Sequence, residues 1–527
     1  MRYKLFKIYS ILLGLILLVS CGKDREVGIN PYDGGESPLG IKFLNINRKI
    51  DAVRPLKDVL QLQVKGLLGQ KEDISAFINE QKAEIIAFTD TTLDIRVPEF
   101  VSSGIVKILV GNQVFYGPRV PIEGKVKVDT DFSTGEGFNG PINQLLQVGG
   151  NYFVVGGFSN YKTESIADKV FRNGIHAINN TGNTIDSKFG RGTQGSIYSI
   201  AQLSDGKFLI GGSFSTFDKK QTNGMTRLQS NGALDTTIVD VLNSDISKPE
   251  RGKDTVSIFP GNIFGSVYGI YPSTDEKTML IVGNFNYYGK PNYKVSTYKS
   301  QLYTYTEVRN VARLKIDGSL DSTFQIKNTG VNGIISKSVR LSNGKIIIVG
   351  GFTKYNGMDV NNFLVLNADG SLDAASTGAG GNGTIYDVSY NAVSKKIALV
   401  GKFTMFKGAN KKYAVVLNDD FTVDQKFTLG DTEGKIPVST YAMNNGKIVV
   451  CGDIVKYNSI NRSGLLILES TGEALQDYNN LSAFVGSINT VVETKSSEGY
   501  PALLMGGYFI SMDGNRVGSI MRLEIRD

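Results

Sequence analysis

Residues 286–310 hold the side chains whose types and spacing best suit ligand binding. Lys290, Lys294 and Lys299 alternate there with six tyrosines: Tyr287, Tyr288, Tyr293, Tyr298, Tyr303 and Tyr305. A tyrosine ring has a flat apolar face and a polar tip, which suits stacking on a sugar ring or on a partner protein. We therefore predict that the six tyrosines bind a ligand. The alternative is that residues 292–308 form an extended hairpin whose tyrosines pack on the fold.

The residues that could carry out catalysis are few and scattered. The single histidine, His176, lies in the apolar run IHAIN, where a structural role is the simpler interpretation. The chain has no His cluster, no G-x-S-x-G and no phosphate-binding loop. Acid pairs such as Asp317 with Asp321 lack the spacing of a calcium loop and fit turns instead. Asp254 and Glu307 could transfer protons, but nothing sets them at a glycosidase separation. We predict no catalytic residue, no metal site and no cofactor.

The amino terminus predicts export and anchoring. Residues 1–20 have a basic start and an apolar run too short to span a bilayer, as in a signal peptide. The run ends in Leu18-Val19-Ser20-Cys21, which resembles the bacterial lipobox. That resemblance implies an acylated Cys21 that tethers the protein to a membrane; an ordinary secretory signal is the alternative. Residues 21–37 are polar and predict a flexible tether.

The other cysteine, Cys451, lies in the apolar run KIVVCGDI and is interpreted as a core residue. The formal net charge is +7 without a basic stripe, so nucleic acid is not an expected partner.

Residues 38–124 contain short strands of alternating polarity, which predict a small β-sandwich. The strand TTLDIRVP (91–98), followed by GIVKI (104–108), resembles an IPT/TIG immunoglobulin-like domain. The resemblance implies a spacer, and no site residue is assigned to it.

From residue 125 onward one phrase recurs seven times: an apolar run, Gly-x-Phe, and an aromatic three positions later, as in VVGGFSNY ending at Tyr161. Each copy predicts four short strands joined by tight turns, which is typical of a propeller blade. The aromatics are expected to fill the core between blades. ARLKIDGSLDSTF (312–324) and LVLNADGSLDAAS (364–376) resemble the delta-sixty β-propeller repeat. The sixth copy departs from it, with Ile454 for Phe and Leu475-Gln476 for Leu-Asp.

The last copy lacks its fourth strand, and the amino-terminal side supplies a match. Residues 128–132 (VDTDF) correspond to residues 320–324 (LDSTF) position by position. A strand over 126–132 would complete the last blade and remove the open edges. We therefore predict an all-β chain: an immunoglobulin-like sandwich followed, over 125–527, by a closed seven-bladed propeller. This strand alignment predicts that the sandwich lies beneath the propeller face that carries the tight turns. It also predicts that two insertions, 239–264 and 286–310, lie side by side on the opposite face.

Together these features predict an outer-membrane lipoprotein, at the cell surface or facing the periplasm. Its propeller is expected to bind a polysaccharide. Proteins of similar layout accompany outer-membrane glycan-uptake systems, so outer-membrane uptake proteins are the expected partners. The alternatives are a protein-interaction or adhesion module and a polysaccharide lyase or hydrolase. Sugar binding predicts at least two of the tyrosines exposed side by side on a groove; a protein partner predicts a flatter apolar patch. An enzyme predicts convergent carboxylates, or His176 in a pocket.

Overall fold

The computed structural model describes residues 38–70, 73–162, 172–259, 262–324, 328–374 and 380–526. The predicted signal peptide (1–20), Cys21 and the tether (21–37) lie outside the described residues. The described part consists of β-strands and turns, with short 3-10 turns at Pro249–Gly252 and Gln476–Tyr478. It contains no helix long and apolar enough to cross a membrane.

The first domain is a seven-stranded antiparallel sheet wrapped around one core. Its strands are β1 (Lys42–Phe43), β2 (Val59–Lys65), β3 (Ile74–Ile78), β4 (Gln81–Phe88), β5 (Thr92–Arg96), β6 (Gly104–Val110) and β7 (Gln113–Val120). They pair in the order β1-β2-β5-β4-β3-β6-β7. Period-two alternation builds the core, because Leu60, Leu62 and Val64 of β2 are buried while the glutamines between them are exposed.

Strand β8 (Val126–Val128) leads from this domain into the repeat region. The repeat region then forms its first sheet from β9 (Ile142–Val148), β10 (Asn151–Gly156) and β11 (Ile175–Asn179), and its second from β12 (Thr193–Gln202), β13 (Phe208–Phe217), β14 (Lys220–Gln221) and β15 (Met225–Leu228). A separate hairpin, β16 (Thr236–Asp240) with β17 (Lys253–Ser257), precedes the third sheet: β18 (Asn262–Pro272), β19 (Thr278–Pro291), β20 (Tyr303–Glu307) and β21 (Val311–Lys315).

The next three repeats have the same arrangement, a three-stranded antiparallel sheet and a short two-stranded ribbon. The fourth repeat has β22 (Ile334–Arg340), β23 (Ile346–Gly351), β24 (Lys354–Tyr355), β25 (Met358–Asp359) and β26 (Phe363–Leu366). The fifth has β27 (Ile385–Asn391), β28 (Lys396–Gly401), β29 (Met405–Phe406), β30 (Ala409–Asn410) and β31 (Ala414–Asn418). The sixth has β32 (Ser439–Ala442), β33 (Ile448–Cys451), β34 (Lys456–Tyr457), β35 (Ile460–Asn461) and β36 (Leu465–Leu468). The seventh sheet joins β37 (Phe484–Lys495), β38 (Pro501–Met512), β39 (Asn515–Arg516) and β40 (Ile520–Ile525) to β8.

The repeated phrase builds the interior of these sheets, as predicted. A Cβ on Gly212 would lie 2.1 Å from the Ser196 carbonyl oxygen, so glycine is needed where the first two strands of a sheet approach each other. The residue that ends each phrase is buried; it is aromatic in six repeats and Met512 in the seventh. Several of the tyrosines donate to a glycine carbonyl in the next tight turn. Tyr288 does so to Gly318 at 3.2 Å.

The predicted fourth strand of each repeat is shorter in the structure. In five repeats it is reduced to a single bridge, such as Leu314 with Leu320. In the second to fifth repeats the aspartate that follows forms an ion pair with a basic side chain earlier in the repeat, as in Arg313 Nε and Asp321 Oδ2 at 2.7 Å. In these four repeats the fourth element is therefore held by one bridge and one ion pair instead of a full ladder.

The seventh repeat receives its fourth strand from the amino-terminal side of the chain. Strand β8 pairs with β40, and Arg522 Nε donates to Asp129 Oδ2 at 2.6 Å. Arg522 stacks on Phe132 at 4.7 Å as Arg313 stacks on Phe324 at 5.0 Å. The strand spans 126–128 instead of the predicted 126–132, because Asp129 turns the chain by accepting from the Asp131 N–H.

The seventh sheet also contacts the first. Asn489 Nδ2 donates to the Ile142 carbonyl oxygen at 2.9 Å, and the Tyr152 and Thr494 hydroxyls lie 2.7 Å apart. Ile142, Leu504 and Ile520 share one buried cluster. The ends of the repeat region therefore meet.

The first domain docks on the outer edge of the sixth and seventh sheets. Ser102 Oγ donates to the Asn479 carbonyl oxygen at 2.6 Å, and the Ser103 N–H to that of Asn480 at 2.8 Å. Arg119 pairs with Asp513, in the turn between β38 and β39. That turn is on the face opposite the tight turns, so the prediction that the sandwich lies beneath the tight-turn face is wrong.

Candidate functional site

The two insertions form two hairpins that stand side by side, as predicted. One is β16–β17; the other extends the third sheet, with Tyr287–Pro291 of β19 paired to β20. The Leu242 N–H donates to the Ser296 carbonyl oxygen at 2.8 Å, and the Arg251 guanidinium lies 5.1 Å from the Tyr298 ring centre. The extended hairpin that the sequence left as an alternative is therefore present.

Three of the predicted tyrosines come together on the third sheet. Tyr287 and Tyr305 are neighbours on adjacent strands, with ring centres 6.3 Å apart and exposures of 45% and 56%. Tyr303 and Phe264 complete the cluster, with Phe264 5.1 Å from Tyr305 and 5.6 Å from Tyr303. The Tyr303 hydroxyl donates to Gln301 Oε1 at 2.9 Å, and burial raises its pKa. This open patch of aromatic rings could pack against a flat apolar surface.

Two other predicted tyrosines have less accessible positions. Tyr288 is 3% exposed and packs in the core of the third sheet, so the prediction that it binds a ligand is wrong. Adjacent strand residues point to opposite faces, which separates it from Tyr287. Tyr293 is half-buried, and its pKa is raised by burial and by the nearby charge of Asp254.

Tyr298 lines a polar groove of about 360 Å³ between the second and third sheets. One wall is the turn between β13 and β14, and the second is β17. The third is the tip of the hairpin that the end of β19 forms with β20 (residues 287–307), here called the Tyr-rich hairpin. The lining residues are mostly polar: Ser215, Thr216, Lys219, Lys220, Gln221, Asn223, Asp254, Thr255, Val256, Tyr298, Lys299, Ser300 and Gln301. The exposed pair Tyr287 and Tyr305 is not part of this lining. The site therefore has two parts, a polar groove with one tyrosine and an open aromatic patch. The expectation that sugar binding would place two exposed tyrosines side by side on a groove is not met.

The groove brings only one carboxylate into position for chemistry. Asp254 lies 3.6 Å from Lys220 Nζ, whereas Glu307 is exposed and paired with Arg309 outside the lining. No group of three or more metal-ligating side chains occurs within the described residues. His176 is 1% exposed, faces Thr184 Oγ1 at 3.2 Å, and its pKa is lowered to about 3 by burial. Its side chain is buried in β11, where the run IHAIN predicts an apolar strand position.

Cys451 is also buried, as predicted, and burial raises its pKa to about 12. It borders a second cavity, of about 170 Å³, lined by the first strands of the fourth to seventh sheets. There Lys337 Nζ lies 3.5 Å from Asp387 Oδ1 and donates to the Asn489 carbonyl oxygen at 2.7 Å. Burial raises the pKa of Asp387. Sequence reasoning missed this cavity, because its lining lies outside the repeated phrase. Its charged groups satisfy one another, so it is the weaker candidate.

The repeat region is a β-propeller, and comparison with known families agrees. Residues 203–237 and 341–375 match the family described as "Domain of unknown function (DUF5122) beta-propeller". Residues 17–118 match "Domain of unknown function (DUF5008)". No curated protein matches the chain.

Several solved structures are similar to the chain. One is a structural genomics protein of unknown function from Bacteroides thetaiotaomicron, at 10% identity, covering 78% of this chain and 94% of that chain, with a TM-score of 0.27. The RRP9 WD40 repeats match at 12% identity over 77% and 99%, with a TM-score of 0.37. A gluconolactonase from Xanthomonas campestris matches at 10% identity over 62% and 91%, with a TM-score of 0.28.

Proposed function

We propose that the chain is a surface lipoprotein whose propeller binds a polysaccharide in the groove between its two inserted hairpins. The observation that carries the proposal is the convergence of both long insertions on one groove. Its polar lining offers hydroxyl and amide partners for sugar hydroxyls, and Tyr298 offers a ring face. Long loops in a compact repeat fold are commonly functional.

The proposal includes four features that the sequence suggests. Cys21 would carry the lipid anchor in the outer membrane, and outer-membrane uptake proteins would be its neighbours. The first domain would be an IPT/TIG-like spacer. The seven sheets would close into a ring, which is supported by the pairing of β8 with β40 and by the contacts between the seventh and first sheets.

The test is affinity electrophoresis of the full-length chain in detergent against a panel of polysaccharides. Tyr298→Ala should weaken retardation by the bound glycan about fivefold, since a stacked ring contributes about 1 kcal/mol. Tyr116→Ala is the matched control, because Tyr116 is exposed on the first domain, away from the groove. Equal loss in both variants, or no retardation by any glycan, would contradict the proposal.

Protein binding is the second candidate, and the open patch of Tyr287, Tyr305 and Phe264 favours it. Such rings lie outside the groove and match the flat surface expected of an interface. Tyr305→Ala separates the two functions: glycan retardation would survive this change if the patch serves a protein partner. A lyase or hydrolase would release reducing ends from the glycan during the same assay.

A further inference from the structure

The charges that line the groove between the two hairpins are unbalanced. Three lysines border it, Lys219, Lys220 and Lys299, against one carboxylate, Asp254. Lys220 lies 3.6 Å from Asp254 and offsets that charge. Among the described residues, Lys219 and Lys299 belong to no ion pair, so the groove carries two uncompensated positive charges.

Lys219 occupies a position where a lysine is conformationally unfavourable. It is the second residue of the two-residue turn between β13 and β14, with φ of 42° at Asp218 and 68° at Lys219. The matching turns of the fourth, fifth and seventh repeats have glycine there, at Gly357, Gly408 and Gly514, with φ between 76° and 84°. A side chain in this left-handed region costs energy that glycine does not incur. The sixth repeat has Ser459 at this position, with φ of 65°, so glycine is preferred but not required. Lys219 therefore brings a charge to the groove at a turn position where three other repeats have glycine.

Lys299 brings its charge from the opposite wall. Its ammonium lies 5.6 Å from the Tyr298 ring centre, and the Arg251 guanidinium lies 5.1 Å from the same ring. Arg251 is paired with Asp245 at 2.7 Å, whereas Lys299 has no such partner in the described part of the chain. A ligand stacked on Tyr298 would therefore have Lys299 on one wall of the groove and Lys219 on another.

We infer that the groove takes an anionic polysaccharide, with Lys219 and Lys299 contacting its carboxylate or sulfate groups. The inference rests on the proposed function and names the substrate class of the same site. The neutral hydroxyls and amides of the groove would bind the sugar hydroxyls. The two lysines would then discriminate charged from uncharged chains.

The experiment compares charged and neutral probes on the full-length chain in detergent. The probes are polygalacturonate, chondroitin sulfate, fully methyl-esterified pectin and dextran. Polygalacturonate or chondroitin sulfate should be retained at least tenfold more tightly than the neutral probes, and the preference should fall as salt is raised. Chondroitin sulfate carries carboxylates as well as sulfates, so retention of polygalacturonate would show carboxylate recognition. Retention of chondroitin sulfate alone would show that sulfate is required.

The variants are Lys219→Gly and Lys299→Gln, with Lys294→Gln as the matched control on the same hairpin but outside the groove lining. Each groove variant should weaken binding about threefold and the pair about tenfold, the range of solvent-exposed ion pairs. Lys219→Gly also introduces the residue found in the fourth, fifth and seventh repeats, so its unfolding midpoint should not fall. Equal weakening by Lys294→Gln, or equal binding of neutral and charged probes, would overturn the inference while leaving glycan binding intact. Failure of all four probes would remove the proposed function as well.

Discussion

His176 is a buried titratable residue whose pKa links the stability of the fold to pH. Its ring lies 4.9 Å from that of Tyr161, and burial lowers its pKa from 6.5 to about 3. The unfolded chain takes up a proton below pH 6.5, whereas the folded chain does not until about pH 3. The contribution of neutral His176 is therefore complete above pH 6.5 and is lost as the pH falls toward 3.

We predict that the free energy of unfolding falls by about 2 kcal/mol more in the wild type than in His176→Leu between pH 7.5 and pH 5. Leucine is the residue at this position in the fourth repeat, where Leu364 pairs with Ile348 as His176 pairs with Val154. Urea denaturation at both pH values measures the difference. An identical pH dependence in the two proteins would show that His176 becomes protonated inside the fold.

At the scale of elements, the Tyr-rich hairpin is an addition to the third sheet and not part of its core. Replacing residues 292–302 by Asn-Gly should join Pro291 to Tyr303 in a two-residue turn that suits their directly paired positions. The change removes the Leu242–Ser296 hydrogen bond and the Arg251–Tyr298 contact, a loss of roughly 1–2 kcal/mol. We expect a folded protein without glycan retardation. Thermal unfolding and affinity electrophoresis check the two halves of this result, and a shortened chain that still binds would place the site elsewhere.

The sequence alone was enough to predict the strands and buried aromatic positions that lie within a single repeat. Each Gly-x-Phe phrase marks a buried strand, and alignment to the other phrases puts Tyr288 at the buried aromatic position. The period of two along a strand would also have separated Tyr288 from Tyr287. The same alignment shows Lys219 where the fourth, fifth and seventh repeats have glycine, so this groove residue could have been found from the sequence.

The docking of the first domain could not be predicted, because it depends on contacts between residues more than 350 positions apart. The degenerate sixth repeat was nevertheless a sign of it. Gln476, which stands where other repeats have aspartate, accepts from the Val101 N–H at 3.1 Å, and Arg462 Nη1 donates to Gln476 Oε1 at 3.1 Å. The sixth repeat departs from the pattern where it binds the first domain.

At the scale of the whole molecule, we predict that one buried ion pair contributes strongly to the stability of the proposed ring closure. Arg522 and Asp129 side chains are 0% and 2% exposed, and Asp129 reaches Arg522 from the other end of the repeat region. Asp129→Ala would leave the guanidinium buried with its carboxylate partner removed, which costs about 3–5 kcal/mol. Asp321→Ala is the matched control, because the Arg313–Asp321 pair is more exposed and lies within a continuous repeat. We expect the control to lose about 1–2 kcal/mol in urea denaturation, and only Asp129→Ala to open residues 125–132 to limited proteolysis. If the two variants lose equal stability and neither is cleaved there, the ring is held closed by the apolar contacts between the seventh and first sheets and not by this ion pair.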